Sequence, residues 1–212
     1  MKKCALIVVD IQNDFLPSGA LGVAGADSVV PLINALVKLP FDIRVASQDW
    51  HPQKHCSFAS TWNKKSGEHI RIGDIEQTLW SDHCVQGTYG ADFAKTLDTS
   101  RFDLIIRKGQ EHNVDSYSTF YDNKKARSTG LEAFLKESGI EDLYFAGLTT
   151  EYCIYYSVLD ACDLGFNAFV IMDACRGIEL QEGDVLKAIT DMKARGAQCI
   201  SAKEVIERIG CE

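Results

Sequence analysis

Six short apolar runs, spaced along the chain and separated mostly by stretches with helical periodicity, constrain the fold more than any other feature. They fall at 4–9, 43–47, 104–107, 143–146, 168–172 and 198–201, and each has the length and content of a strand buried on both faces. Helical spacing occupies 28–39, where Val30, Ile33, Leu36 and Val37 share a face, Asp27 or Ser28 is placed to cap and Pro31 fits the first turn. Further helices are expected over 131–138 and 150–164, closed by Gly139 and Gly165, and over 182–195, before Gly196, and 202–209. Strands alternating with helices predict an α/β fold. The expected architecture is a three-layer αβα sandwich around a central, mostly parallel six-stranded sheet.

From Trp50 to Gly90 the periodicity fades while His, Trp, Ser and Gly accumulate, so this stretch reads as a long functional loop region. No repeat, low-complexity tract or linker-like shift divides the 212 residues, and one domain is expected over 1–212. The net charge of −8 is spread along the chain and forms no basic patch, which argues against nucleic acid. The apolar run after Met1-Lys2-Lys3 stops at Asp10, too early for a secretory leader, and no later run would span a bilayer. The cytoplasm is the expected compartment, with no membrane partner. None of the eight cysteines (Cys4, Cys56, Cys84, Cys153, Cys162, Cys175, Cys199, Cys211) lies in a CxxC pair, and reduced thiols are expected.

Ligands of parallel sheets bind beyond the carboxyl ends of the strands, so the residues that end the runs matter most. The first run stops at Asp10 and the third at Lys108. The fourth leads through Gly147-Leu148-Thr149-Thr150-Glu151-Tyr152 to Cys153 in the expected first turn of a helix. A thiol there feels the helix dipole, and a nearby lysine would lower its pKa, so a thiolate populated near neutrality is expected. Asp10 would serve as general acid and base, and backbone N–H groups around Thr149 and Cys153 would bind an oxyanion. Read singly, each has an ordinary role: Cys153 as a small buried apolar group, Lys108 as a solvated strand end, Asp10 as a turn cap.

The second run continues through Gln48-Asp49-Trp50-His51-Pro52. If the strand extends, Asp49 and His51 project from one face, and His83 of Trp80-Ser81-Asp82-His83-Cys84 could complete a divalent-metal site. His55 and Ser57 are further candidates, Ser57 directly or through water. As ordinary residues, His55 reads as a surface histidine and Ser57 as a loop cap or a hydrogen-bonding neighbour of the ligands.

These segments, with Val8-Val9-Asp10-Ile11-Gln12-Asn13-Asp14-Phe15, Lys108-Gly109, Val114-Asp115-Ser116-Tyr117-Ser118 and Asp173-Ala174-Cys175-Arg176-Gly177, resemble the nicotinamidase branch of the isochorismatase-like cysteine hydrolases. The likeness runs from about Leu6 to Glu204. It implies the isochorismatase-like fold, a triad of Asp10, Lys108 and Cys153, and one divalent cation (zinc, with iron or manganese as alternatives) on Asp49, His51 and His83. It further implies that Phe15, Trp80 and Tyr117 sandwich an aromatic ring, and that Leu148 and Thr149 contribute to substrate binding around a cis peptide. The implied reaction converts nicotinamide to nicotinate and ammonia through a cysteine thioester in NAD salvage, with pyrazinamide as a side substrate, in a monomer or homo-oligomer. Thr149 and Glu151 stand where the family often has Ala and Asp. Alternatives are a metal-hydroxide hydrolase with a structural Cys153, an amidase of the same superfamily acting on a carbamoyl or ureido group, and a non-catalytic binding protein.

Overall fold

The computed structural model describes residues 2–210; Met1, Cys211 and Glu212, including the last of the cysteines read as thiols, lie outside the described residues. Six parallel strands form the central sheet: β1 (Lys3–Val9), β2 (Ile43–Asp49), β5 (Leu104–Lys108), β6 (Ile140–Leu148), β7 (Asn167–Arg176) and β8 (Gln198–Ile200). Their spatial order is β5-β2-β1-β6-β7-β8, with every pairing parallel. The chain leaves β1 toward one edge and β6 toward the other. The crevice between them is therefore the topological switch point, the place where α/β sheets bind ligands.

Side-chain alternation divides the core into two layers. From β1, Leu6 and Val8 enter one apolar cluster while Ala5, Ile7 and Val9 enter the other; Tyr144 and Ala146 oppose Leu143 and Phe145 in the same way on β6. The first cluster is covered by α1 (Val30–Leu36) through Val30, Ile33 and Leu36, and by α5 (Ala202–Ile209) through Ala202, Val205 and Ile209. The second is covered by α2 (Leu131–Glu137), α3 (Tyr155–Asp163) and α4 (Asp184–Ala194), which bury Leu131 and Leu135, Val158 and Ala161, and Met192 respectively. The three-layer arrangement expected from the alternation is present.

Several boundaries differ from expectation for identifiable reasons. The helix expected from Ser28 begins as a 3-10 turn, Ala26–Val29, and becomes α-helical at Val30. Ser201 ends no strand: it caps α5, its hydroxyl accepting the Glu204 N–H while the Glu204 carboxylate accepts the Ser201 N–H. Within the presumed loop lies a hairpin, β3 (His69–Ile72) and β4 (Ile75–Thr78), turned by Gly73 and Asp74 with Gly73 at φ +62°. The alternation of Ile70, Ile72, Ile75 and Gln77 about a Gly-Asp pair was a legible hairpin signal. Among the described residues the seven cysteines are free thiols, and no helix is long and apolar enough to cross a membrane.

Candidate active site

Four strand ends converge at the switch point. Asp10 follows β1 in the left-handed region at φ +51°, a conformation an Asp holds only where its surroundings enforce it. The enforcement comes from β2: the Asp10 N–H donates to Ser47 O at 3.3 Å, and Ser47 Oγ donates to Asp10 Oδ1 at 2.7 Å. Gln12 ties the same two ends together by donating to Asp49 O and accepting the Asp49 N–H, each at 2.8 Å.

Lys108, the last residue of β5, is 2% exposed and its ammonium is the hub of the site. It lies 2.9 Å from Asp10 Oδ2, donates to Asp49 Oδ1 and to Ser116 O (3.1 Å), and reaches Cys153 Sγ at 3.3 Å. Asp10 Oδ2 accepts no well-directed hydrogen bond despite that proximity, which leaves a lone pair for another proton. Asp10, Asp49 and Cys153 lie mutually close, with their reactive atoms within 4.8 Å of one another. The three residues expected from strand ends are thus brought together.

The surroundings act on Cys153 in both directions. Burial pushes the Cys153 thiol well above the usual range; Lys108 pulls it down, but Asp10 and Asp49 push it up again. Two carboxylates beside one ammonium offset its pull on the sulfur, so a nearby base favours ionisation of the thiol. Burial also pushes the Asp10 carboxyl up, against the pull of Lys108, which favours its holding a proton. For Lys108, burial acts downward, but Asp10 and Asp49 together hold the ammonium well above the usual lysine range.

Cys153 does not sit in the first turn of an α-helix, as expected. It lies in a wider π-type turn, Thr150–Ile154, that precedes α3. Such turns accompany functional sites because they re-aim one side chain without ending the helix. Thr149 O accepts the N–H groups of Tyr152 and Ile154 (3.2 and 3.1 Å), a pair that skips the Cys153 N–H between them. The Leu148–Thr149 peptide is cis, as the resemblance implied.

Asp49 and His51 project together from the extended end of β2, and a bridge of His51 with Val85 draws His83 alongside. His51 Nδ1 lies 2.9 Å from Gly109 O and His83 Nδ1 lies 2.8 Å from Ser81 O. A carbonyl only accepts, so both Nδ1 atoms carry a proton, and both Nε2 atoms face Asp49 Oδ2, at 3.4 and 3.6 Å. These three buried residues offer ligand atoms within 4.8 Å of one another, a donor set that fits a divalent cation. Gly109 is required beside them: at φ +67°, a Cβ there would meet His51 Cε1 at 2.4 Å.

His55 is not the surface residue that its ordinary reading suggested. It is fully buried and stacked on His51 at 4.3 Å, with Nδ1 2.7 Å from Ser57 Oγ and Nε2 3.2 Å from Val114 O. Both nitrogens are engaged away from Asp49, and Ser57 bonds His55, so the pair braces His51. Burial pushes the His55 imidazole down to about 4, so it is neutral.

A cleft opens over Cys153. Phe15, Trp80, Tyr117 and Thr149 line it as expected. Leu148 does not: its side chain is buried in the first apolar cluster. Leu21, Asp115, Tyr152 and Ile178 line the cleft without having been singled out. Trp80 Nε1 and Gln77 Nε2 each donate to Tyr117 Oη at 3.1 Å, and Gln77 also donates to Asp115 Oδ2 at 3.0 Å. The hairpin that supplies Gln77 was not anticipated, so neither was this brace.

The fold and these buried side chains together define a doubly wound α/β protein with a cysteine-centred site beside a candidate divalent-metal centre. The chain belongs to the isochorismatase family, whose Isochorismatase domain matches residues 4–204. It is 45% identical to the nicotinamidase of Acinetobacter baylyi over 204 residues, covering 96% of this chain and 94% of that protein. Among solved structures, an Acinetobacter baumannii nicotinamidase/pyrazinamidase superposes with TM-score 0.93 at 41% identity, covering 97% of this chain and 99% of that one. The pyrazinamidase of Pyrococcus horikoshii in complex with zinc superposes with TM-score 0.77 at 33% identity, covering 94% and 99%.

Proposed function

We propose that the protein is an amidohydrolase of the nicotinamidase type, converting nicotinamide to nicotinate and ammonia as a step of NAD salvage, with pyrazinamide as a second substrate. The observation that carries this reading is one buried ammonium in contact with both a carboxylate and a thiol, at 2.9 and 3.3 Å, under an aromatic-walled cleft. The names of the similar proteins support the substrate class.

In this mechanism Trp80, Tyr117 and Phe15 hold the ring flat so that its carboxamide lies over Cys153. Asp49, His51 and His83 would hold a divalent cation, zinc by analogy with the Pyrococcus complex. When bound, the cation supplies a Lewis-acidic position for the ring nitrogen. Asp10 takes the Cys153 proton as the sulfur bonds to the carbonyl carbon, while Lys108 offsets the negative charge passing between them. The Cys153 N–H, beside the Leu148–Thr149 peptide, is placed to stabilise the oxyanion. Asp10 then protonates the amide nitrogen, the C–N bond breaks, and ammonia leaves a thioester. A water gives its proton to Asp10 and its oxygen to the carbonyl carbon; the C–S bond breaks and the sulfur recovers the proton.

The test is ammonia release from nicotinamide by purified protein, before and after iodoacetamide and again after exhaustive chelation. Turnover abolished by alkylation supports the thiol route. Turnover that survives alkylation and fails on chelation would replace it with a metal-hydroxide route in which Cys153 is structural.

A further inference from the structure

Beyond the catalytic cluster, one buried acid has no part in the chemistry. Glu151 stands two residues before Cys153 in the same π-type turn, 8% exposed, and reaches the segment that follows β7. Its Oε1 accepts the N–H groups of both Ile178 and Glu179, at 2.8 and 2.5 Å. Its Oε2 is buried without a partner. Gly177 makes room for the carboxylate, since a Cβ there would lie 2.7 Å from Oε2 and 2.3 Å from Val185 Cγ2. Glu179 adopts the left-handed region at φ +50°, and its own carboxylate accepts the Gly183 N–H at 2.8 Å, securing the far end of the segment.

The consequence lies at Ile178, whose side chain lines the cleft alongside Thr149, Tyr152 and Cys153. An exposed connection would normally leave such a side chain mobile. Here a carboxylate rooted in the nucleophile's own turn grips the backbone on both sides of the Ile178 carbonyl, and charge-assisted bonds of this kind are the stronger ones. We propose that Glu151 is a positioning residue that holds Ile178 as an apolar wall of the substrate cleft, setting affinity and selectivity for a flat aromatic ring. This rests on the cleft being the nicotinamide site.

The experiment compares metal-loaded wild type with Glu151→Ala, Glu151→Gln and Ile178→Ala, and with the Glu151→Ala/Ile178→Ala double variant. Amide exchange of the 177–180 segment is read without substrate, and kcat and KM are read with nicotinamide. Glu151→Ala should speed exchange at Ile178 and Glu179 and raise KM roughly tenfold, the scale of one apolar contact in a pocket, with kcat nearly unchanged. Glu151→Gln keeps an acceptor oxygen and should restore slow exchange and near-normal KM. Ile178→Ala should raise KM similarly, and the double variant should add nothing further. Unchanged exchange in Glu151→Ala, additive effects on KM, or a loss confined to kcat would each overturn the proposal. If Glu151→Ala does not fold, an unchanged KM in Ile178→Ala overturns it. The exchange measurement needs no substrate, so wild type that does not hydrolyse nicotinamide counts against the substrate reading alone.

Discussion

Replacing Lys108 by Met removes the only cation among the described residues that touches Asp10, while keeping roughly the same volume. Asp49 retains His51 and His83 within 3.6 Å, but Asp10 keeps only the Ser47 hydroxyl, so the uncompensated charge falls on Asp10. Breaking a buried pair from one side costs about 3–5 kcal/mol, and that is the loss expected at pH 8. The loss should shrink with acidification. Asp10 starts from an ordinary value of 3.8 and is already raised in the folded protein, so between those two values the folded state binds the extra proton. Stability from such a group is full below the unfolded value and is lost as pH rises through the folded one, at up to about 1.4 kcal/mol per pH unit. Without the ammonium that window extends to higher pH. Urea unfolding of both proteins at pH 5, 6, 7 and 8, metal-free, should show a gap that widens with pH. A gap below about 1 kcal/mol at pH 8, the scale of an exposed ion pair, or one independent of pH would refute the assigned charge pairing.

Cys153→Ala should lower turnover by about 10⁴-fold or more, a loss expected when the nucleophile is removed, while bound metal measured by atomic emission stays at wild-type stoichiometry. His83→Ala should lose metal. In the wild type, metal occupancy should fall as pH drops through the histidine range, because the Nε2 lone pairs must be free; occupancy independent of pH would argue against histidine ligation. Gly109→Ala should displace His51 and weaken metal binding at least tenfold, the scale seen for residues that orient ligands, as read by competition with a chromogenic chelator. Gln77→Leu should leave kcat nearly intact but raise KM for nicotinamide, since Tyr117 and Asp115 lose a shared donor; an unchanged KM would make the hairpin a bystander.

The catalytic cluster was legible because buried parallel strands announce themselves as apolar runs, and the residue that ends each run is carried to the active edge. Asp10 and Lys108 followed directly from that rule, and Cys153 from the segment after the fourth run. Asp49 and His51 followed from the period of two, and the Nδ1 bonds to Gly109 and Ser81 supplied what spacing could not, the orientation of the two rings. The push of Asp10 and Asp49 on the Cys153 thiol was not foreseen because a pKa depends on how many charges gather around a group. The sequence order of Lys108 and Cys153 does not reveal that Asp49 also closes on them. His55 was misread as a surface residue for a similar reason, since its burial depends on stacking against His51. Glu151 drew notice as a departure from the family pattern, yet its grip on Ile178 and Glu179 joins segments 27 and 28 residues apart and left no local signal.

The most direct test of the central claim is mass spectrometry of the metal-loaded protein quenched in acid during steady-state turnover of nicotinamide. The account predicts one nicotinoyl group on the Cys153 peptide, released by hydroxylamine and absent from Cys153→Ala. Rapid turnover with no adduct on any cysteine, in protein whose Cys153→Ala variant still releases ammonia, would contradict it.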